Sequence, residues 1–228
     1  MISQAVILAG GRGKRMGMET PKPLLEVNGM PIIERNIRKL AEQNVEIGVV
    51  VNPKEEKLFK QKLAEYEISY IRQDKPLGTA HALFCASKFV SESLFLVMMG
   101  DDITDYSIVE LLSMGEPTVF GFEVNDVSNY GAVIADKNEI VEDIIEKQRS
   151  GKGIANTGVY IMPKSFFELY REIPVDEKSG EYFLTHFPRI LREHGMGFRL
   201  RKLGYWLGIN TQEELKRADE ILRKRGDV

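Results

Sequence analysis

Cysteine is nearly absent from this chain of 228 residues: Cys85 stands alone, so no internal disulfide can form, and three histidines offer no zinc-ligand spacing. Long hydrophobic runs are missing too. The longest, residues 94–99, is far below the ~20 apolar residues that a membrane span requires. No basic segment introduces an apolar stretch at the start, and the first apolar run breaks at Gly10, so nothing there reads as a signal peptide. An excess of positive charge is lacking as well, with 31 Lys+Arg against 34 Asp+Glu, a formal charge of -3 and a pI near 5.8. Nucleic acid and anionic membrane both call for a basic surface and are excluded as main partners. A cytoplasmic, reducing location is expected from these absences.

What is present is ordinary for a globular protein: 43 % hydrophobic and 29 % charged residues. The length fits one domain over residues 1–228, with no repeat and no low-complexity linker. Short apolar or β-branched runs at 5–8, 45–51, 67–71 and 94–99 predict strands, and the stretches between them have helical spacing. After Met30, Pro31 suits a first helical position, and Ile32, Ile33, Ile37, Leu40 and Ala41 fall on one helical face. Helices are also expected at 53–64 and 79–90. Continuous apolar strands joined by helices indicate a parallel sheet covered on both faces.

The second half changes character. It suggests strands at 117–124, 156–162 and 198–203, a hairpin over 130–147 and helices at 163–170 and 181–194. Thr211 reads as the N-cap of a last helix. The expected fold class is α/β, a Rossmann-like, mixed but mainly parallel sheet flanked by helices, with a small antiparallel lobe. Ligands of such sheets bind beyond the carboxyl ends of the strands, which directs attention to residues 9–22, 73–81 and 100–105.

Charge is distributed unevenly. The first 22 residues of this acidic chain hold four cations, Arg12, Lys14, Arg15 and Lys22, and one acid, Glu19. Ala9-Gly10-Gly11-Arg12-Gly13-Lys14-Arg15 follows the first strand directly. Glycines let successive backbone N–H groups approach phosphate oxygens, and Arg and Lys add the charge that a polyphosphate needs. Two familiar phosphate loops do not fit. No Lys-Ser or Lys-Thr pair follows the glycines, and Met16 stands where a G-x-G-x-x-G loop has its third glycine.

The segment continues to Pro21-Lys22-Pro23-Leu24-Leu25-Glu26-Val27-Asn28-Gly29-Met30-Pro31. From Leu8 to Pro31 the chain resembles the opening motif of the sugar-1-phosphate nucleotidyltransferases, or nucleoside-diphosphate-sugar pyrophosphorylases. The compact Arg15-Met16 spacing is most similar to the N-acetylglucosamine-1-phosphate uridylyltransferases. The resemblance places Arg15 at the family's catalytic arginine and Lys22 at the lysine on the phosphates. It implies that Ala9, Gly10, Gly11, Arg12 and Gly13 hold the nucleotide.

Other segments match in the same chain order. Gln73-Asp74-Lys75-Pro76-Leu77-Gly78-Thr79-Ala80-His81-Ala82 is similar to a family segment whose glutamine and glycine contact the nucleobase, which implies Gln73 and Gly78. The same segment implies Thr79 at the nucleotide, with a cap on the next helix as its local role, and His81 reads as solvated or packed, not catalytic. Gly100-Asp101-Asp102 follows the most apolar strand. Beside a phosphate loop, adjacent carboxylates suit Mg²⁺, which favours one or two carboxylates plus phosphate oxygens. The resemblance assigns Asp101 to the metal and leaves the role of Asp102 open. Tyr130-Gly131, Glu146-Lys147 and Asn156-Thr157-Gly158 resemble the segments beside the sugar, implying Tyr130, Gly131, Glu146 and Asn156. Toward the end, Trp206-Leu207-Gly208-Ile209-Asn210 has glycine where many relatives carry a metal-binding aspartate. The uridylyltransferase pattern shifts that ligand to Asn210.

Together these features predict a Mg²⁺-dependent transfer of a nucleotidyl group from a nucleoside triphosphate, UTP before dTTP, to a sugar 1-phosphate of glucose or N-acetylglucosamine type. Two alternatives stand beside it. A nucleotide-sugar-dependent glycosyltransferase would share the fold, but Asp101-Asp102 lacks D-x-D spacing. A non-catalytic nucleotide-sugar-binding subunit has only Gly208 in its favour.

Overall fold

The computed structural model describes residues 1–11, 20–104, 107–147, 150–209 and 211–225. The apolar runs of the first half form β1 (Gln4–Leu8), β2 (Glu26–Val27), β3 (Met30–Pro31), α1 (Ile32–Ala41), β4 (Glu46–Val51), α2 (Glu56–Lys62) and β5 (Ile68–Arg72). There follow α3 (Thr79–Cys85), β6 (Leu94–Met99), β7 (Asp102–Thr104), α4 (Ile108–Leu112) and β8 (Thr118–Val124). The second half adds β9 (Gly131–Ala135), β10 (Val141–Glu146), β11 (Gly153–Pro163), α5 (Phe166–Leu169), α6 (Phe187–Glu193), β12 (Arg199–Lys202), β13 (Trp206–Gly208) and α7 (Gln212–Arg225).

Nine strands among the described residues join one sheet in the order β10-β9-β11-β6-β1-β4-β5, with β8 on β11 and β12 on β8. The block β6-β1-β4-β5 is parallel, as the unbroken apolar runs required, and β11 and the β9–β10 hairpin are antiparallel. The expected mixed, mainly parallel sheet with an antiparallel lobe is therefore found. Alternation along each central strand feeds two cores: Val6, Leu8, Phe95 and Val97 point to one face, and Ala5, Ile7, Leu96 and Met98 to the other. A third, smaller cluster lies apart. Leu25, Val27, Ile32, Ile103 and Ile209 pack there against Ala218 and Leu222 of α7.

Several local expectations change. Pro31 ends β3 and precedes α1 instead of opening it. Ile32, Ile33, Ile37 and Leu40 are buried as expected, but Ala41 is exposed at the helix end. The expected helix over 181–194 is shorter, running as a 3-10 turn Leu184–His186 into α6. Residue 182 is extended because its backbone is used elsewhere: Tyr182 N–H donates to Leu77 O at 2.8 Å, and Tyr182 O accepts from Ala80 N–H at 2.9 Å. Thr211 does cap α7. Its Oγ1 accepts from Glu214 N–H at 3.1 Å, and Glu214 Oε2 accepts from Thr211 N–H at 2.9 Å, a reciprocal capping box.

Candidate active site

The carboxyl ends of the parallel strands converge, held by backbone bonds that run one step past each strand. Ala9 N–H donates to Val50 O, Gly100 N–H to Leu8 O, and Gln73 N–H to Val51 O. Gly10, Asp101 and Gln73 are thereby brought to one edge of the sheet. Two glycines here are closely packed. A Cβ on Gly100 would lie 3.2 Å from Ala9 Cβ, and one on Gly10 would lie 2.8 Å from Gln73 Oε1. Ala9 itself is buried and its N–H is committed to the sheet, so only its carbonyl remains for a ligand.

One end of this edge is organised around Gln73, which is 6 % exposed. Its Nε2 lies 3.1 Å from Gly78 O and 3.1 Å from His81 Nδ1. Gly78 has φ +97°, and a Cβ there would come within 2.5 Å of Tyr182 O, so the turn accepts only glycine. Thr79 does not cap α3. It is the first helical residue, and its Oγ1 accepts from Leu184 N–H at 3.0 Å, tying the turn to the chain that precedes α6. Burial and the nearby Lys75 ammonium hold His81 below its ordinary value of 6.5.

The middle of the edge is charged. Lys22 Nζ sits 2.6 Å from Asp101 Oδ2, with the lysine side chain 12 % and the aspartate 33 % exposed. Lys22 opens a 3-10 turn, Lys22–Leu24, anchored by buried Pro23 and Leu24. Asp102 starts β7, which pairs with β13 so that Asp102 lies opposite Gly208. Burial, and then the Asp101 carboxylate, push the Asp102 carboxyl well above the usual carboxylate range, against Lys22, the Trp206 indole and the Ile209 amide. Helix α1 fixes this region through polar residues that periodicity does not reveal. Arg35 donates to Val27 O, behind the β2–β3 hairpin, and Lys39 Nζ donates to Thr104 O at 3.3 Å.

The third group lies on the antiparallel lobe. Gly131 stands opposite Glu146 in the β9–β10 pair, and a Cβ on Gly131 would lie 3.0 Å from Glu146 Oε1. The neighbouring Ala155 on β11 pairs with Ala132, which brings Asn156 alongside. Asn156 Nδ2 donates to Tyr160 OH at 2.6 Å, and its Oδ1 accepts from Gly158 N–H at 3.3 Å. Tyr130 meets Trp206 edge-on, with ring centroids 5.1 Å apart, and Trp206 lies on β13, which pairs with β7 where Asp102 starts. Burial raises the Tyr130 phenol.

Gly11 ends the first described segment and is exposed; Arg12, Gly13, Arg15 and Asn210 lie outside the described residues. Among the described residues, no three His, Cys, Asp or Glu side chains gather into a metal centre. The donor set nevertheless fits a hard divalent cation. Asp101 and Asp102 are adjacent carboxylates just past the end of β6, and a cation completing its shell with phosphate oxygens needs only one or two such ligands. No helix among the described residues is long and apolar enough to cross a membrane.

Gly10 and Gly11 thus follow β1, and Lys22 pairs with Asp101 where β6 ends. The chain belongs to the nucleotidyl transferase family, whose model matches residues 4–225. Among curated proteins it is 27 % identical over 241 residues to the bifunctional protein GlmU of Clostridium botulinum, covering 99 % of this chain and 53 % of that protein. It is 32 % identical over 211 residues to GlmU of Methanococcus maripaludis, covering 90 % and 51 %. The chain thus spans about half the length of these curated relatives. Among solved structures, HddC from Yersinia pseudotuberculosis superposes with a TM-score of 0.76 at 26 % identity, covering 97 % of this chain and 100 % of that one. The inositol-1-phosphate CTP transferase from T. maritima shares the fold, with a TM-score of 0.81 at 21 % identity and coverage of 99 % and 97 %.

Proposed function

We propose that residues 1–228 act as one nucleotidyltransferase domain that moves a nucleotidyl group from UTP, with dTTP the next choice, to a sugar 1-phosphate of glucose or N-acetylglucosamine type. The products are a nucleoside-diphosphate sugar and pyrophosphate. The observation that carries this reading is the Lys22–Asp101 pair at 2.6 Å, at the end of β6, which lies beside the end of β1. The ammonium of Lys22 can offset phosphate charge, and the Asp101 carboxylate beside it would hold a cation that offsets more. Similarity to GlmU and to HddC, which has also been solved with GMP-PN, supports the substrate class. The preference for UTP rests on the Arg15-Met16 spacing and on Gly208 and Asn210.

In this scheme an oxygen of the sugar phosphate attacks the α-phosphorus. The new P–O bond forms as the bond from the α-phosphorus to its bridging oxygen breaks, and that electron pair leaves with pyrophosphate. The attacking oxygen is already ionised near neutral pH, so no general base is required. Catalysis is then positioning and charge neutralisation. Lys22 draws the two anions together, Arg15 balances charge at the reacting phosphorus, and the amides of Gly11 and Gly13 hold the triphosphate. Gln73 and Gly78 take the base, and Tyr130, Gly131, Glu146 and Asn156 take the sugar. Asp101, with Asn210 as its partner ligand, would hold Mg²⁺, whose contribution is neutralisation of phosphate charge. The expected setting is the cytoplasm.

A pyrophosphate-release screen crossing UTP, dTTP, CTP, GTP and ATP with several sugar 1-phosphates, with and without MgCl₂, tests the reading. Release with UTP that depends on both the sugar phosphate and the metal is expected. No release from any pair, or release of free nucleoside diphosphate from a nucleotide sugar instead, would overturn it.

A further inference from the structure

The Gln73 side chain is buried, and its hydrogen-bonding capacity is divided in a way that can be worked out from its partners. The Gly78 carbonyl, 3.1 Å from Nε2, can only accept, so it fixes which end of the amide is the NH₂ group. The second amide hydrogen then faces His81 Nδ1, also at 3.1 Å. That contact is attractive only if Nδ1 carries its lone pair and the imidazole hydrogen sits on Nε2. A neutral ring agrees with the burial and the Lys75 ammonium, which both disfavour the imidazolium; among the described residues, Cys85 Sγ also approaches Nδ1, at 3.9 Å. With both amide hydrogens engaged, Oε1 is left facing the Gly10 backbone.

We propose that His81 is a positioning residue for nucleotide selection: its Nδ1 accepts from Gln73 and holds the amide oxygen toward the Gly10 backbone, where an arriving base must meet it with a donor. This rests on the nucleotidyl-transfer reading above. A pyrimidine that presents a ring N–H, as uracil does, satisfies that oxygen, and cytosine, which presents a ring nitrogen lone pair there, does not. Without the acceptor on His81, one amide hydrogen loses its partner and the amide turns more freely.

The experiment compares wild type with His81→Leu, His81→Ala and His81→Asn, using UTP and CTP with N-acetylglucosamine 1-phosphate and glucose 1-phosphate. Leu and Ala remove the acceptor, whereas the Asn carbonyl can stand in for Nδ1. Loss of one such hydrogen bond predicts a KM for UTP raised about 3- to 10-fold in the Leu and Ala variants, with kcat nearly unchanged and the preference for UTP over CTP narrowed. His81→Asn is expected to restore both quantities. The use of two acceptor-free variants keeps the comparison available if one of them folds poorly. Wild-type KM in either folded acceptor-free variant would overturn the proposal, as would a kcat loss shared equally by all three. A wild-type enzyme that releases no pyrophosphate with any triphosphate would instead remove the functional reading, and this inference with it.

Discussion

Two parts of this molecule are stabilised in different ways, and the candidate site draws on both. The central sheet buries Ile7, Val49, Leu96 and Val97 completely, between cores on its two faces. At the proposed base end, Ala9 (next to Gly10) and Gln73 hang from that sheet by backbone bonds, and the Gly78 turn is tied through Leu77 and Ala80 to Tyr182. The charged middle is held differently. Lys22 precedes the β2–β3 hairpin, Asp101 precedes β7, and position 210 follows Ile209, and these segments meet in a cluster of seven buried residues closed by α7. The base end rests on the sheet, whereas the charged end joins Asp101, carried at the end of β6, to Lys22 and to segments backed by the small local core. Function and global stability should therefore be separable by choosing where to cut.

The sharpest cut leaves both cores alone. Lys22→Ala should slow turnover by about 10²- to 10³-fold, as expected on losing one charge-stabilising contact to the transition state. Its stability should change by about 1 kcal/mol or less, since the ion pair with Asp101 is partly open to water. Pyrophosphate-release kinetics and urea unfolding on one preparation would show this; near-normal turnover would remove Lys22 from the chemistry.

A matched pair of truncations addresses the two cores directly. Leu96 is fully buried between β1 and β11, and Leu96→Ala should cost about 3 kcal/mol of unfolding free energy while each folded molecule keeps its turnover. Leu222→Ala, in the small cluster, should cost about 2 kcal/mol and also lower turnover per folded molecule, because Ile103 and Ile209 lose their common backing. Equal effects of the two substitutions on turnover would mean that the charged end does not depend on its local core.

This division also explains which parts of the protein could be read from its residue order. The central strands were evident because a parallel strand buried on both faces has no choice but to be apolar, as in residues 94–99. The last helix was evident because Thr211 and Glu214 form their capping box locally. The contacts that shape the site are long-range. Tyr182 is extended because its backbone bonds the Gly78 turn, and Thr79 misses its capping role because its hydroxyl is taken by Leu184. Motif spacing brought Lys22 and Asp101 into one hypothesis, and their pairing across 79 positions agrees with it. It gave no sign that Arg35 and Lys39 brace the same region from α1, or that His81 reaches Gln73.

The smallest expected effect concerns the junction between the two parts. Thr211→Ala removes the hydroxyl that accepts from Glu214 N–H, at a cost of about 1 kcal/mol. In a protein of this size that corresponds to a fall of about 2–4 °C in Tm. The 14 residues of α7 would be marginal as an isolated helix, so the helix is kept by Ala218 and Leu222 and should survive the substitution with a frayed first turn. That turn directly follows position 210, the proposed second ligand of Mg²⁺. Fraying there should leave the base end untouched, so KM for UTP stays constant while the MgCl₂ concentration giving half-maximal turnover rises. A parallel rise in both would mean that the cap stabilises the whole site without favouring the charged end. A lower Tm with an unchanged metal requirement would mean that Asn210 is not a ligand, and that Asp101, paired with Lys22 at the end of β6, holds the cation without help from the α7 side.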